Sequence, residues 1–207
     1  AGEPASLDGF VVTAGLADGD DDDEYGAGLY IGQGVVNLAN VTFRGNEANR
    51  YGGGIFNRRD SELVLSDAFF KDNHANHYGG ALYNASYSRS TLTGVTFQGN
   101  TAQDKGGAIY SWTESDPKLV NVDFRGNGTS EGGGMYNIGC SPRLLSVTFS
   151  DNQATDGGGM YNFGGAPVLT NVVFVRNSAV GDGGGMNNDV SDTQLSSVYF
   201  VSNTAHM

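Results

Sequence analysis

The chain is poor in covalent cross-links and in positive charge. It carries one cysteine, Cys140, so no disulfide forms within it. That fits either a reducing compartment or a secreted protein that needs no staples. Lys and Arg number 11 against 23 Asp and Glu, and the formal net charge is −12. So acidic a chain does not suit nucleic acid or an anionic membrane surface, because both reward basic patches. It does suit cation binding or simple solubility. No apolar run approaches the ~20 residues of a membrane-spanning helix, so direct membrane insertion is not expected. Nothing places apolar residues at i, i+3, i+4 and i+7, so helical repeats are excluded too. Phosphate loops and nucleophile elbows are missing, since no helix pattern follows any glycine cluster. The three histidines, His74, His77 and His206, make no metal-ligand motif.

Glycine, by contrast, is abundant, at 33 residues. Glycine runs weaken helices and strands alike. Yet "YGGGIFN" at residues 51–57 returns as "YGGALYN" from Tyr78, "KGGAIYS" from Lys105, "EGGGMYN" from Glu131 and "DGGGMYN" from Asp156. A weaker "YGAGLYI" precedes it at Tyr25, and "DGGGMNN" follows at Asp182. The first glycines of these blocks are 25–27 residues apart. A second block keeps the same period, as in "LANVTFRGNEA" from Leu38, "LTGVTFQGNTA" from Leu92 and "LSSVYFVSNTA" from Leu195.

The runs are short, β-branched or aromatic, and bounded by Gly, Asn, Asp and Ser, which reads as short strands. A unit of this length made of short strands cannot bury a face alone, but stacked on its neighbours it can. The expected architecture is a β-solenoid with one repeat per coil and coils ~4.8 Å apart. Phe43, Phe70, Phe97, Phe124, Phe149, Phe174 and Phe200 then form an interior stack, with a leucine stack running from Leu38 to Leu195. Val41 and its equivalents, two residues before each Phe, share the inward face. Asn46, Asn73, Asn100, Asn127, Asn152, Asn177 and Asn203 form a ladder in which each side-chain amide bonds the next coil and the turn backbone. In the glycine block, Ile55 and its equivalents point inward, with the middle glycine beside them. Tyr30, Phe56, Tyr83, Tyr110, Tyr136 and Tyr161 point outward, as a surface aromatic row.

The pairing of G-G-[AG]-[ILM] with F-x-x-N in each coil resembles the repeats of chlamydial polymorphic outer-membrane proteins. It also resembles the wider group of bacterial and archaeal extracellular right-handed parallel β-helix proteins. The opening "LDGFVVTAG" from Leu7 looks like the strand that precedes the first glycine block in that group. The resemblance spans the chain from Leu7 onward. It implies an all-β, right-handed parallel β-helix of about seven coils plus a partial N-terminal coil. Right-handed crossovers are also the general rule. Residues 1–207 read as one domain, either a fragment of a longer surface protein or one lacking conventional caps, which leaves end-to-end self-association open. The group includes adhesins, passenger domains and polysaccharide-active enzymes, so the resemblance implies an extracellular or cell-surface location and leaves the activity open.

Three candidate sites stand out, two from the register and one from the acidic loop that departs from it. Arg50, His77 and Asp104 stand two residues before successive glycine blocks, with Tyr51, Tyr78 and Lys105 beside them. A polysaccharide lyase or hydrolase needs such a set, with a base near a sugar proton and a cation for a uronate. Solvated turn charges are the plainer reading. The aromatic row reads as a sugar-stacking or adhesive face, or as cover for the glycine backbone. Asp18, Asp20 and Asp22 match D-x-D-x-D and invite calcium as the one possible cofactor. The sixth position of that motif is however Asp23 rather than Gly, and the twelfth is Leu29 rather than Glu. A solvated acidic loop is the competing reading. The leading expectation is a non-enzymatic stalk, passenger or adhesin presenting loops to a glycan or a protein. The alternative is a lyase or glycoside hydrolase on a surface polysaccharide.

Overall fold

The computed structural model describes residues 4–19 and 24–206. Among the described residues, twenty-six short strands are arranged as a right-handed parallel solenoid of about seven turns. Every strand pairing among the described residues is parallel and joins residues one repeat apart, as Leu65 faces Leu92 and Phe70 faces Phe97.

One coil shows how the sequence builds the rest. Strand β9 (Glu62–Ser66) ends at Asp67, β10 (Phe69–Lys71) ends at Asp72, and β11 (His74–Ala75) leads to Gly79 and then β12 (Leu82–Asn84). Asp67, Asp72 and Gly79 have φ of 51°, 52° and 65°. These left-handed residues turn the chain at three corners of every coil. The first corner is Asn40, Asp67, Gly94, Asn121, Ser146, Asn171 or Ser197, and the second is Gly45, Asp72, Gly99, Gly126, Asp151, Arg176 or Ser202. Glycine, Asn and Asp tolerate this region best, which explains the punctuation of the repeat. From β17 (Lys118–Arg125) onward the first two strands of each coil run together through the first corner. β19 (Arg143–Ser150), β22 (Val168–Val175) and β25 (Gln194–Val201) follow the same course.

The interior is the stack that the sequence predicts, except that Leu195 and Phe200 of the last coil are 48% and 47% exposed. Consecutive phenylalanine rings from Phe43 to Phe200 lie 4.5–5.0 Å apart and nearly parallel. Leu38, Leu65, Leu92, Leu119, Leu144 and Leu169 are buried beside them. The asparagine ladder is continuous from Asn46 to Asn203, with amide-to-amide distances of 2.8–3.0 Å. Each amide also donates to a backbone carbonyl one coil back, Asn46 to Val12 O at 3.1 Å and the others to a phenylalanine, as Asn100 does to Phe70 O at 3.1 Å.

The glycine block is tighter than an inward-facing strand. The third residue, which is Gly54, Ala81 or Ala108, packs toward the phenylalanine rings. The middle glycine instead abuts backbone. A methyl group on Gly80 would strike the carbonyl oxygens of Thr101 and Gly107.

Candidate functional site

The outward edge of the glycine strands departs from the sequence expectation. Phe56, Tyr83, Tyr110 and Tyr136 are not an open surface row but are buried, between 2% and 7% exposed. Only Tyr30, at 36%, is exposed, and Tyr161 is half-buried. The cover comes from Tyr25, Tyr51 and Tyr78, the residues immediately before the glycines. The left-handed glycine folds the chain back, so Tyr25 stacks on Phe56 at 4.9 Å, Tyr51 on Tyr83 at 4.9 Å and Tyr78 on Tyr110 at 4.8 Å. Lys105 takes the next place in that column, with Nζ 4.6 Å from the centre of the Tyr136 ring. The two columns form a second apolar cluster outside the solenoid wall. The signal was present in the sequence as the Tyr-Gly-Gly spacing, but its meaning depends on the direction of the turn. Burial raises the pKa of Tyr83, Tyr110 and Tyr136, because a phenolate there would be desolvated.

Arg50, His77 and Asp104 do lie on consecutive coils of this edge, next to the bridge-paired Tyr51, Tyr78 and Lys105. They resolve into separate pairs. Arg50 binds Glu24 at 3.3 Å and the Tyr25 hydroxyl at 3.3 Å. His77 Nδ1 lies 2.7 Å from Asp104 Oδ2. Lys105 donates to Glu131 at 2.9 Å and to the Tyr136 hydroxyl at 3.2 Å. Burial works to lower the Lys105 pKa, and these hydrogen bonds outweigh it and raise it. The His77 and Asp104 side chains are nearly half exposed, at 48% and 46%. Further along, Asp156 accepts a hydrogen bond from the Asp182 amide at 2.7 Å.

Asp18 is exposed, while Asp20 and Asp22 lie outside the described residues. Among the described residues no group of three or more His, Cys, Asp or Glu side chains is placed to hold a metal. Nor is any helix among them long and apolar enough to cross a membrane.

A second edge carries the more developed surface. Arg59 and Asp60, Ser86 and Tyr87, and Thr113 and Glu114 are pairs of left-handed residues at equivalent positions on three successive coils. Their turns are hydrogen-bonded coil to coil, Asp60 N to Ser86 O at 3.1 Å and Tyr87 N to Thr113 O at 3.3 Å. Each turn is followed by a buried serine, Ser61, Ser88 or Ser115. Ser88 Oγ accepts from Ala85 N at 3.1 Å and donates to Ala85 O at 2.8 Å, closing its turn. Tyr87 stands exposed on one of these loops, at 52%, and Trp112 at the end of the strand Ile109–Trp112 that leads into another, at 45%. A cleft of about 510 Å³ opens between the loops, with Asp60, Glu62, Tyr87, Arg89, Glu114 and Asp116 on its walls. The repeat period does not reveal this surface, because it depends on the stacked turns that align these residues.

A parallel β-solenoid with an internal asparagine ladder, a capped aromatic edge and a loop-bearing edge is a rigid scaffold. The family model for the right handed beta helix region matches residues 25–205, and the chain belongs to that family. No curated protein and no solved structure matches it significantly.

Proposed function

We propose that the chain is a non-enzymatic β-helix module of an extracellular or cell-surface protein, of the polymorphic outer-membrane repeat type. As a stalk, passenger or adhesin, it presents its stacked loops to a glycan or protein partner. The repeat-type reading rests on G-G-[AG]-[ILM] and F-x-x-N occurring together in successive coils. The observation that carries the functional reading is the three-coil loop stack, which holds Tyr87 exposed on the wall of a polar cleft, with Trp112 exposed at the end of the strand that leads into one of the loops. Exposed aromatics on rigid supports are efficient contact groups, since little side-chain freedom is lost on binding. Paired, solvated charges on the opposite edge are what a scaffold needs for solubility.

The alternative is a polysaccharide lyase or glycoside hydrolase centred on Arg50, His77, Asp104 and Lys105. It is favoured by one observation, the 2.7 Å contact that orients the His77 ring against Asp104. One experiment separates the two readings. The protein is incubated with a panel of acidic and neutral polysaccharides, with and without calcium, and polymer length is followed. The scaffold reading expects no shortening, and retention of a glycan or protein ligand that Tyr87→Ala or Trp112→Ala abolishes. Shortening that disappears in His77→Ala overturns it. Calcium bound at the acidic loop that begins at Asp18 is a further proposal. It would raise the unfolding temperature without turnover.

A further inference from the structure

On the outer face of the long strands, Lys118 of β17 lies directly opposite Arg143 of β19. Two residues along the same strands and on the same face, Val120 lies opposite Leu145. Val168 and Thr170 of β22 continue the two rows. Lys118 and Arg143 are exposed, and Leu145 is 45% exposed. Like charges facing each other across a sheet repel. Neither cation forms an ion pair among the described residues, although Arg50, Lys71, Lys105, Arg125 and Arg176 all do. Asp116, two residues upstream of Lys118 and just before the strand, accepts from the Ser141 amide at 2.6 Å instead. The rows border a groove of about 200 Å³, with cations at one end and aliphatic side chains at the other.

We propose that this groove docks an extended peptide segment bearing one acidic residue and, two positions on, an aliphatic residue. In an extended chain, side chains on one face recur every second residue, at ~6.6–6.8 Å. Lys118 and Val120, and likewise Arg143 and Leu145, are separated by the same two-residue step. A peptide lying along the strands puts its carboxylate between the Lys118 ammonium and the Arg143 guanidinium. Its next same-face side chain falls between Val120 and Leu145. The guanidinium binds a carboxylate through two N–H donors, and the bound anion relieves the repulsion between the two cations. The charge of the whole molecule selects the partner further. At a net −12 it repels polyanions, so the local pair favours a single carboxylate with apolar company over an acidic polysaccharide.

The test is fluorescence anisotropy of fluorescein-labelled Thr-Thr-Asp-Thr-Leu-Thr-Thr titrated with the full chain. The expected result is saturable binding that weakens at least about tenfold when the peptide Asp is replaced by Asn, or when the protein carries Arg143→Glu. Replacing the peptide Leu by Thr, or Leu145→Thr in the protein, weakens it by about threefold or more. Circular dichroism of each variant checks that the solenoid persists, and Lys118→Glu serves as the second charge variant. The proposal is overturned by equal binding of the Asp and Asn peptides, or by wild-type affinity in both charge variants. It is equally overturned by no binding at millimolar protein, or by an oligouronate that binds the groove more tightly than the peptide.

Discussion

Asn84 donates its side-chain amide to Ser90 Oγ within its own coil, at 3.1 Å, and not to Ser111, which lies opposite it on the next coil. The relationship marks a break in a second asparagine row, which the repeat carries at the end of the glycine block. Asn57 donates to Asn84 at 3.1 Å, Asn137 to Asn162 at 2.9 Å and Asn162 to Asn188 at 2.8 Å. Ser111 replaces the asparagine that would join the two halves, and both Ser111 Oγ and Asn137 Oδ1 are buried without a partner. Ser111→Asn restores the missing amide, which can donate to Asn137 Oδ1. The expected gain is about 1 kcal/mol in urea unfolding. An unchanged or lowered midpoint would show that the corner is too tight for the larger side chain.

The first ladder should be far more sensitive. Asn100 accepts from the backbone and side-chain amides of Asn73 at 3.1 and 2.9 Å, and donates to Phe70 O and Asn127 Oδ1. Asn100→Ala leaves several buried groups without partners and is expected to cost about 3 kcal/mol. Asn100→Asp is expected to be comparably damaging, because its carboxylate cannot donate to either acceptor. A loss below about 1 kcal/mol in both variants contradicts the ladder's stabilising role.

Two glycines distinguish steric from conformational cost. Gly126 has φ of +59° with open space around its missing side chain, so Gly126→Ala carries only the left-handed penalty, about 1 kcal/mol. Gly80→Ala drives a methyl group into two backbone carbonyl oxygens and is expected to cost more than about 3 kcal/mol. Equal thermal shifts for the two variants would refute the close packing at the middle glycine.

Stability is expected to fall in alkali. Burial raises the pKa values of Tyr83, Tyr110 and Tyr136 above those of the unfolded chain. Protons are therefore held more tightly in the folded state, and the associated stability is complete below pH ~10 and lost as the pH climbs past it. Ultraviolet titration should show these phenols ionising together with unfolding, not ahead of it. Cys140 follows the same rule, since burial pushes its thiol up to about 12, and it should react with thiol reagents only on unfolding. Ionisation of Tyr83, Tyr110 and Tyr136 in the native protein, ahead of unfolding, would argue against the double aromatic column.

The His77–Asp104 pair should matter little for folding. Both side chains are nearly half exposed, and surface pairs of this kind contribute between 0 and ~1 kcal/mol. His77→Ala is expected to shift the unfolding free energy by less than about 1 kcal/mol. A larger loss would assign the pair a structural role that its exposure does not suggest.

Repetition made most of the scaffold legible in advance. A residue type that returns every 25–27 positions must meet itself on the neighbouring coil, so the Phe stack, the Leu stack and the Asn46-to-Asn203 ladder follow from period alone. The same logic located Arg50, His77 and Asp104 on one edge. What period could not supply is the direction in which a turn swings the chain. Because Gly52 and its equivalents are left-handed, Tyr51 and Tyr78 fold over the aromatic row and convert an expected surface into an interior. The bond from Asn84 to Ser90, the stacked turns around Tyr87, and the opposition of Lys118 and Arg143 likewise depend on where side chains point within and between coils. Sequence alone determined which residues stack, since stacking repeats with the coil. Tertiary structure alone decided which of those stacks are covered, interrupted or open, since cover comes from backbone turns whose hand the repeat does not spell out.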